Sequence, residues 1–273
     1  MEYIEILKYI LLGLVQGISE IFPISSSGHL IIFQNILDIE MPGLVFEMFT
    51  NTASFLALIL LFAKDIWILL KGFFRFIFKK ETRKEDKETF LYVLKLAVAV
   101  IPIGIAGLIF KDRVSELKSL LFVGLALSIT GALLLAIFLT RKLIKEHENV
   151  TFKDAFIMGL TQAFAIIPGI SRSGSTIIGG RASRLSLKSV LKFSFLAYLV
   201  ISIPTSFLNI YELTQVSESI NWLGYSLAFI VTFGATYLTA RLVMKKLEVK
   251  HLIIFSAYCL VVGAVMFVLH FVL

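Results

Sequence analysis

Residues 13–32, GLVQGISEIFPISSSGHLII, decide the fold because they interrupt an apolar stretch, residues 4–37, with proline, glycine and serine. Residues 153–180 are interrupted in the same way. Neither stretch is typical of one continuous spanning helix. Backbone outside a helix is tolerated at membrane depth only where protein or water satisfies its N–H and C=O groups. We therefore predict two re-entrant helix-loop-helix hairpins, at 4–37 and 153–180, facing an internal cavity.

Six further apolar runs are long enough to cross a bilayer, whose hydrocarbon core of about 30 Å needs about 20 residues per helix. The clearest is Leu120 to Leu139, which contains no charge. Of the 273 residues, 58% are hydrophobic and only 16% are charged, against about 25% charged in a soluble domain. The sequence therefore predicts an all-α polytopic membrane protein. Its predicted spans are roughly 43–64, 88–110, 120–139, 187–209, 222–240 and 252–273.

The two interrupted stretches match each other at many positions when one is shifted by 146 residues along the chain. The matching positions are Gly13, Leu14, Gln16, Ile24, Ser25, Ser27, Gly28, Ile31 and Ile32 in the first stretch and Gly159, Leu160, Gln162, Ile170, Ser171, Ser173, Gly174, Ile177 and Ile178 in the second. Each hairpin is followed by three spans, an odd number, so the halves must have opposite topologies. We predict an inverted repeat, about 1–142 and about 150–273, in a single membrane domain, 1–273. Chance similarity of small residues is the alternative.

Charge distribution in the loops predicts orientation. The segment from Lys64 to Lys87 holds eight Lys or Arg, whereas the connection from Asn209 to Asn221 holds two Glu and no basic residue. Basic loops belong in the cytoplasm, although a short loop near Lys111 and Arg113 is an exception. The sequence predicts a multi-pass protein of the plasma membrane, with both termini and the site facing outside. Anionic lipid accounts for the net charge of +7, so we expect no nucleic-acid partner.

The only cysteine excludes a disulfide framework and a Cys-based metal site, and the N-terminus is not typical of a removed signal peptide. Cys259 has no partner cysteine, so neither a disulfide nor a Cys-based metal site is available, and we expect it to pack in the core. Residues 1–20 lack a basic start and a small-residue cleavage site, so we expect them to belong to the mature protein.

The first predicted hairpin contains several polar and ionisable residues close together in the sequence. Gln16 and Glu20 lie one helical turn apart and share a face, and residues 23–29 add serine hydroxyls and His29. An ionisable residue inside a membrane is costly and is functional by default. We therefore expect Glu20 to be a site residue rather than a structural one.

The second hairpin supplies a pattern that favours anion binding. Its segment 168–176, PGISRSGST, combines small residues, hydroxyls and Arg172, whose planar guanidinium suits phosphate oxygens. It is not a Walker loop, because the glycine spacing and the lysine are absent. Arg181 and Arg184 are expected only to snorkel to the cytoplasmic surface. Together the hairpins predict one phosphoryl-transfer site for a substrate with an apolar tail and a phosphorylated head.

At these residues the chain resembles the undecaprenyl-diphosphate phosphatase family, also called the bacitracin-resistance phosphatases. Gln16-Gly-Ile-Ser-Glu20 with Pro23-Ile-Ser-Ser-Ser-Gly-His29 is similar to the family's Glu/Gln-x-x-x-Glu and Ser-Gly-His region. Pro168-Gly-Ile-Ser-Arg172-Ser173-Gly-Ser-Thr176 matches its Pro-Gly-x-Ser-Arg-Ser-x-x-Thr motif, and Phe193-Ser-Phe-Leu196 is also similar. The resemblance implies hydrolysis of undecaprenyl diphosphate to the monophosphate and inorganic phosphate, recycling the carrier lipid for cell-wall polymer synthesis.

The resemblance also implies roles for single residues. Glu20 would be the acid-base or metal-binding group, Ser26 the nucleophile, His29 an assisting base and Arg172 the phosphate clamp. A divalent cation, Mg²⁺ or Ca²⁺, is the implied cofactor. Whether Ser26 attacks or Glu20 and His29 activate water stays open. The implied substrate-binding residues are Gln16, Ser25, Ser27, Asn51, Ser171, Ser173 and Thr176.

Two positions depart from the pattern of the family. Gln16 stands where many members have Glu, and Asn51 stands where many have Gln, so we expect altered cation dependence or substrate length.

A transporter or flippase of polyprenyl phosphates is the main alternative function, because inverted repeats with broken midplane segments are typical of transporters. The expected partners are the polyprenyl diphosphate lipid and the bilayer, and the sequence leaves the oligomeric state open, with a homodimer among the candidates.

Overall fold

A computed structural model describes residues 2–39, 45–110, 117–143, 145–213 and 220–272. Its ten α-helices are α1 (Glu2–Ser19), α2 (Ser26–Leu37), α3 (Val45–Phe78), α4 (Arg83–Phe110), α5 (Leu120–Thr140), α6 (Phe152–Ala163), α7 (Arg172–Ala182), α8 (Leu187–Leu213), α9 (Trp222–Lys246) and α10 (Leu252–Val272). Apart from one isolated bridge between His147 and Leu185, these residues contain no β structure. The predicted all-α class is confirmed.

Six helices, α3, α4, α5, α8, α9 and α10, are long and apolar enough to cross a membrane. They confirm the six predicted spans. The two interrupted stretches each form a pair of shorter helices, α1 with α2 and α6 with α7. Lys111, Arg113 and most of the acidic connection after α8 lie outside the described residues.

The basic segment from Lys64 to Lys87, between the first two predicted spans, is mostly helical rather than a loop. With 34 residues, α3 is about 50 Å long and extends well beyond a hydrocarbon core of about 30 Å. A short turn at 80–82 joins it to α4. Phe90 stacks on Phe76 with ring centroids 4.2 Å apart, and Arg75 pairs with Asp86 at 3.2 Å. These contacts extend both helices past the predicted ends of their spans.

Small residues set the packing that positions the interrupted helix pairs. A methyl group on Gly13 of α1 would lie 2.5 Å from the carbonyl oxygen of Ala228 on α9. A methyl group on Gly159 of α6 would lie 2.5 Å from the carbonyl oxygen of Ala99 on α4. Small side chains permit this close approach of helix backbones. Each interrupted pair is thus held against a long helix from the other half of the chain.

Arg181 corrects one expectation from the sequence. Its side chain is 0% exposed rather than snorkelling to the surface, and it pairs with Glu146 at 2.8 Å. It also donates to the carbonyl oxygen of Leu185 at 2.7 Å. Burial is tolerated because the cation is paired and hydrogen-bonded. Arg184 is exposed, and Cys259 is buried as a free thiol, as expected.

Candidate active site

The first turn of the site joins α1 to α2. The α1 helix ends at Ser19, and Glu20 follows directly with only 8% of its surface exposed. Ser25 caps α2 by accepting a hydrogen bond from the backbone N–H of Gly28 at 3.3 Å. Ser26 is therefore the first residue of α2. The turn returns the chain so that Ser26 faces the carboxylate of Glu20.

The Glu20 carboxylate contacts three groups. One oxygen, Oε2, accepts from the Ser26 hydroxyl at 2.6 Å and from the Gln16 side-chain amide at 3.0 Å. The other oxygen, Oε1, forms an ion pair with the guanidinium of Arg172. An acidic group, a hydroxyl and a cation therefore meet at one point, although Arg172 comes from the other half of the chain.

Arg172 is held by the start of α7 and by an aromatic ring. Ser171 caps α7 by accepting from the backbone N–H of Gly174 at 3.0 Å, which places Arg172 at the first helical position. Its guanidinium carbon lies 3.6 Å from the ring centroid of Tyr198 on α8. A cation over a buried aromatic face is attracted by the ring quadrupole. Tyr198 therefore helps to fix the position of the cationic group of segment 168–176.

Asn51 on α3 closes a ring of contacts around the site. Its side-chain oxygen accepts from the Gln16 amide at 2.8 Å, and its backbone oxygen accepts from the Tyr198 hydroxyl at 3.2 Å. The contacts run from Gln16 to Glu20, Arg172, Tyr198 and Asn51 and back to Gln16. Each member of this ring limits the movement of its neighbours.

A small cavity of about 10 Å³ lies between the two halves, at the lower limit of what one water molecule occupies. A cavity of this size holds no group larger than a water molecule unless side chains move. Arg172 and Glu20, which form an ion pair, are the charged residues among those that line the cavity. The cavity is lined by Glu20, Ile21, Leu58, Arg172, Ser173, Ser194, Phe195 and Tyr198.

Serine hydroxyls pair in both turns. The Ser25 and Ser27 hydroxyls are 3.4 Å apart, and those of Ser171 and Ser173 are 3.2 Å apart. Ser173 also donates to the backbone oxygen of Phe22 at 2.9 Å, which ties the second turn to the first. The predicted substrate-binding serines thus lie in two adjacent turns, with Ser173 at the cavity and the others bonded within their own turns.

Sequence reasoning missed two residues that line the cavity. Ser194 is 2.6 Å from Thr176, oxygen to oxygen, and brings a further hydroxyl to the site. The similar segment 193–196 was a signal for it. Tyr198 had no signal, because a tyrosine in an apolar span is indistinguishable from a packing residue until the fold brings it under Arg172.

The ring of His29 is hydrogen-bonded to groups other than the predicted catalytic residues. Its Nδ1 is 2.7 Å from the backbone oxygen of Ser25, and its Nε2 is 2.6 Å from the hydroxyl of Tyr258 on α10. Both ring nitrogens are therefore engaged by groups other than Ser26 and Glu20. The structure brings Glu20, Ser26 and Arg172 together but does not place His29 with them.

A divalent cation held by protein ligands alone does not fit this donor set. Across residues 2–39, 45–110, 117–143, 145–213 and 220–272, no group of three or more His, Cys, Asp or Glu could hold a metal ion. The single carboxylate at the site, Glu20, is already paired with Arg172 and hydrogen-bonded to Ser26.

Comparison with known proteins gives one consistent result. A relative from Acholeplasma laidlawii named undecaprenyl-diphosphatase is 45% identical over 280 residues, covering 100% of both chains. A relative of that name from Oceanobacillus iheyensis is 41% identical and covers 96% of both chains. Undecaprenyl-diphosphatase 1 from Halalkalibacterium halodurans is 38% identical over 95% of this chain and 94% of its own. Residues 9–265 match the family described as Bacitracin resistance protein BacA, and the chain therefore belongs to that family.

Proposed function

We propose that this membrane protein removes the terminal phosphate of undecaprenyl diphosphate. The products are undecaprenyl monophosphate, which re-enters cell-wall polymer synthesis as the lipid carrier, and inorganic phosphate. The observation that carries the proposal is the position of Glu20, which contacts the Ser26 hydroxyl at 2.6 Å and the Arg172 guanidinium together. Relatives that cover 96% to 100% of the chain are named undecaprenyl-diphosphatases rather than transporters.

Substrate entry would exchange one ion pair for another. The guanidinium of Arg172 binds phosphate oxygens in a bidentate geometry that a carboxylate also uses. The terminal phosphate of the lipid would therefore replace Glu20 on Arg172. The released carboxylate would keep its contact with the Ser26 hydroxyl and would be free to accept a proton. Binding and activation are coupled in this way because both depend on the same carboxylate.

The chemical step follows from that arrangement. The Ser26 oxygen attacks the terminal phosphorus while its proton passes to Glu20, and the bond from that phosphorus to the bridging oxygen breaks. Undecaprenyl monophosphate leaves with the bridging oxygen. Water then hydrolyses the phosphoserine, which restores the hydroxyl and releases inorganic phosphate. Arg172 stabilises the charge on the transferred group throughout, which is the main task of a phosphoryl-transfer site.

The divalent cation, Mg²⁺ or Ca²⁺, stays a proposal. It would enter with the diphosphate, because Mg²⁺ is usually bound by one or two carboxylates together with substrate phosphates, and Glu20 would be its protein ligand. The proposed attack of Ser26 on the terminal phosphorus does not depend on this cation. The change Gln16→Glu puts a second carboxylate in place of the side-chain amide that now lies 3.0 Å from the Glu20 carboxylate. We expect this variant to depend more strongly on added cation than wild type, measured as phosphate release with and without chelator.

We also propose that α1 with α2 and α6 with α7 are the two re-entrant hairpins of an inverted repeat within one membrane domain. Matched contacts support this arrangement. Gly13 packs on α9 as Gly159 packs on α4, with the same 2.5 Å approach, and Ser25 caps α2 as Ser171 caps α7. Both termini and the site face outside in this proposal, because the basic connections belong in the cytoplasm. A homodimer stays a prediction.

Phosphate release from undecaprenyl diphosphate in detergent tests the function. Purified wild type is compared with Glu20→Ala and Arg172→Ala, and with Glu88→Ala and Arg241→Ala, which remove exposed residues of the same types. We expect activity in wild type and both controls and none in the site variants. Trapped phosphoserine at position 26 would support attack by Ser26 rather than by water. Folded wild type that releases no phosphate across several cations and tail lengths would refute the proposal.

A further inference from the structure

His29 is the predicted catalytic residue whose ring nitrogens are bonded to groups other than Ser26 and Glu20. A carbonyl oxygen can only accept, so Nδ1, 2.7 Å from the backbone oxygen of Ser25, carries a proton and donates it. In a neutral imidazole the other nitrogen is then the acceptor. Nε2 therefore accepts from the hydroxyl of Tyr258 at 2.6 Å. No free basic nitrogen is left on the ring to take the proton of Ser26.

The His29 ring holds the backbone carbonyl of Ser25, a residue whose backbone conformation is strained. Ser25 has φ 68°, a left-handed conformation that residues other than glycine rarely adopt. Its backbone oxygen accepts from the His29 ring and also from the His29 backbone N–H at 3.2 Å. That peptide leads directly into Ser26. The orientation of the Ser25 carbonyl therefore sets where the Ser26 hydroxyl points.

The second turn provides an internal comparison. Ser171 is the counterpart of Ser25, but its φ is −73°, which any residue adopts. Ser175 stands in the place of His29, and its backbone N–H alone bonds the Ser171 oxygen at 2.8 Å. The second turn, whose backbone is not strained, therefore has no side-chain ring bonded to its carbonyl. A ring is present only in the turn whose carbonyl must be held in an unfavourable orientation.

Tyr258 completes the arrangement from α10, in the other half of the chain. Its ring stacks on that of His29 with centroids 5.5 Å apart and an interplanar angle of 11°. The stack and the hydrogen bond to Nε2 fix both the tautomer and the plane of the imidazole. His29 is 3% exposed, so its ring is buried where these contacts are made.

We propose that His29 and Tyr258 are positioning residues, which hold the Ser25 carbonyl and so aim Ser26 at Glu20, and that neither carries a reacting proton. The inference rests on the proposed function, since it concerns the nucleophile of that reaction. It assigns the base role to Glu20 alone. Tyr258 acts on the reaction only through His29.

Isosteric substitutions at position 29 test this inference. The amide nitrogen of His29→Asn reaches the place of Nδ1 and can donate to the Ser25 oxygen, yet it is not basic. His29→Gln places its amide near Nε2 instead. We expect His29→Asn to keep kcat within about 10-fold of wild type, a loss on the scale of one or two hydrogen bonds. His29→Ala and His29→Gln should fall much further, with KM little changed in all three.

Tyr258→Phe gives a second variant. It should lower kcat about 3- to 10-fold through the loss of one hydrogen bond, whereas Tyr3→Phe removes a hydroxyl from a residue that is 84% exposed and should change nothing. His270→Asn, at the far end of α10, is the control for the histidine changes.

Nitrogen NMR of the His29 ring gives a readout that is independent of turnover. We expect a protonated Nδ1, and an Nδ1 without a proton would overturn the inference. A folded His29→Asn protein as inactive as His29→Ala, with the 100- to 10,000-fold loss typical of a missing general base, would also overturn it. If wild type itself releases no phosphate, the proposed function fails, while the NMR result still decides the geometry of the ring.

Discussion

Removing Arg172 should destabilise the protein as well as inactivate it. The Glu20 side chain is 4% exposed and pairs with Arg172, so the change Arg172→Met leaves a buried carboxylate without its counter-ion. Breaking a buried ion pair by removing one partner costs about 3–5 kcal/mol. At about 2–4 °C per kcal/mol for a chain of this size, the melting temperature should fall by about 6–20 °C.

Removing the second charge should restore stability without restoring activity. In the double variant Glu20→Gln with Arg172→Met, no unpaired carboxylate remains, and replacing a buried pair by uncharged groups is often neutral. We expect the melting temperature to return to within about 4 °C of wild type, roughly 1–2 kcal/mol. Phosphate release should be absent from both single variants and from the double variant.

A double-mutant cycle is the measurement. Thermal unfolding of wild type, both single variants and the double variant in one detergent gives the coupling energy between the two side chains. We expect it to exceed about 2 kcal/mol, because residues that share a buried contact are not additive. Additive single effects would refute the buried ion pair. A double variant that still released phosphate would refute the roles assigned to both residues.

Two further predictions concern the ring under Arg172 and the close helix contacts. Tyr198→Phe should keep most of the activity because the aromatic face over Arg172 is retained, whereas Tyr198→Leu should raise KM about 2- to 30-fold, a cation–π loss of about 0.5–2 kcal/mol. Gly13→Leu should prevent stable folding because its Cβ would meet the carbonyl oxygen of Ala228 at 2.5 Å. Gly104→Leu, with nothing within 4 Å of the added Cβ, should leave the melting temperature unchanged. Michaelis kinetics and thermal unfolding check these two predictions.

Most of the fold could be predicted from hydropathy and from breaker residues. The run from Leu120 to Leu139 became α5, Leu120–Thr140, because twenty apolar residues in a bilayer have no alternative to a helix. The helical extension of α3 to Phe78 could not be predicted in this way. It depends on contacts between two helices, such as the stack of Phe76 on Phe90, and charged residues in its sequence are typical of a loop.

The sequence predicted most of the residues that form the candidate site but not which of them contact each other. Glu20, Ser26 and Arg172 were marked as polar residues in apolar surroundings, and the structure brings them into contact. Tyr198 was not marked, because nothing in its local sequence distinguishes it from a packing residue. His29 was marked for its chemistry, but only the fold shows that both of its nitrogens are occupied.

The sequence by itself determined which six segments form helices long and apolar enough to cross a membrane, where two further apolar segments break, and which charged residues stand in apolar surroundings. These properties are local, because burial in lipid acts on each segment of about 20 residues separately. The tertiary structure decided which groups meet. Tyr258 reaches His29 across 229 positions and Tyr198 reaches Asn51 across 147. Such contacts depend on how small residues let helices approach, and that packing is a property of the whole chain.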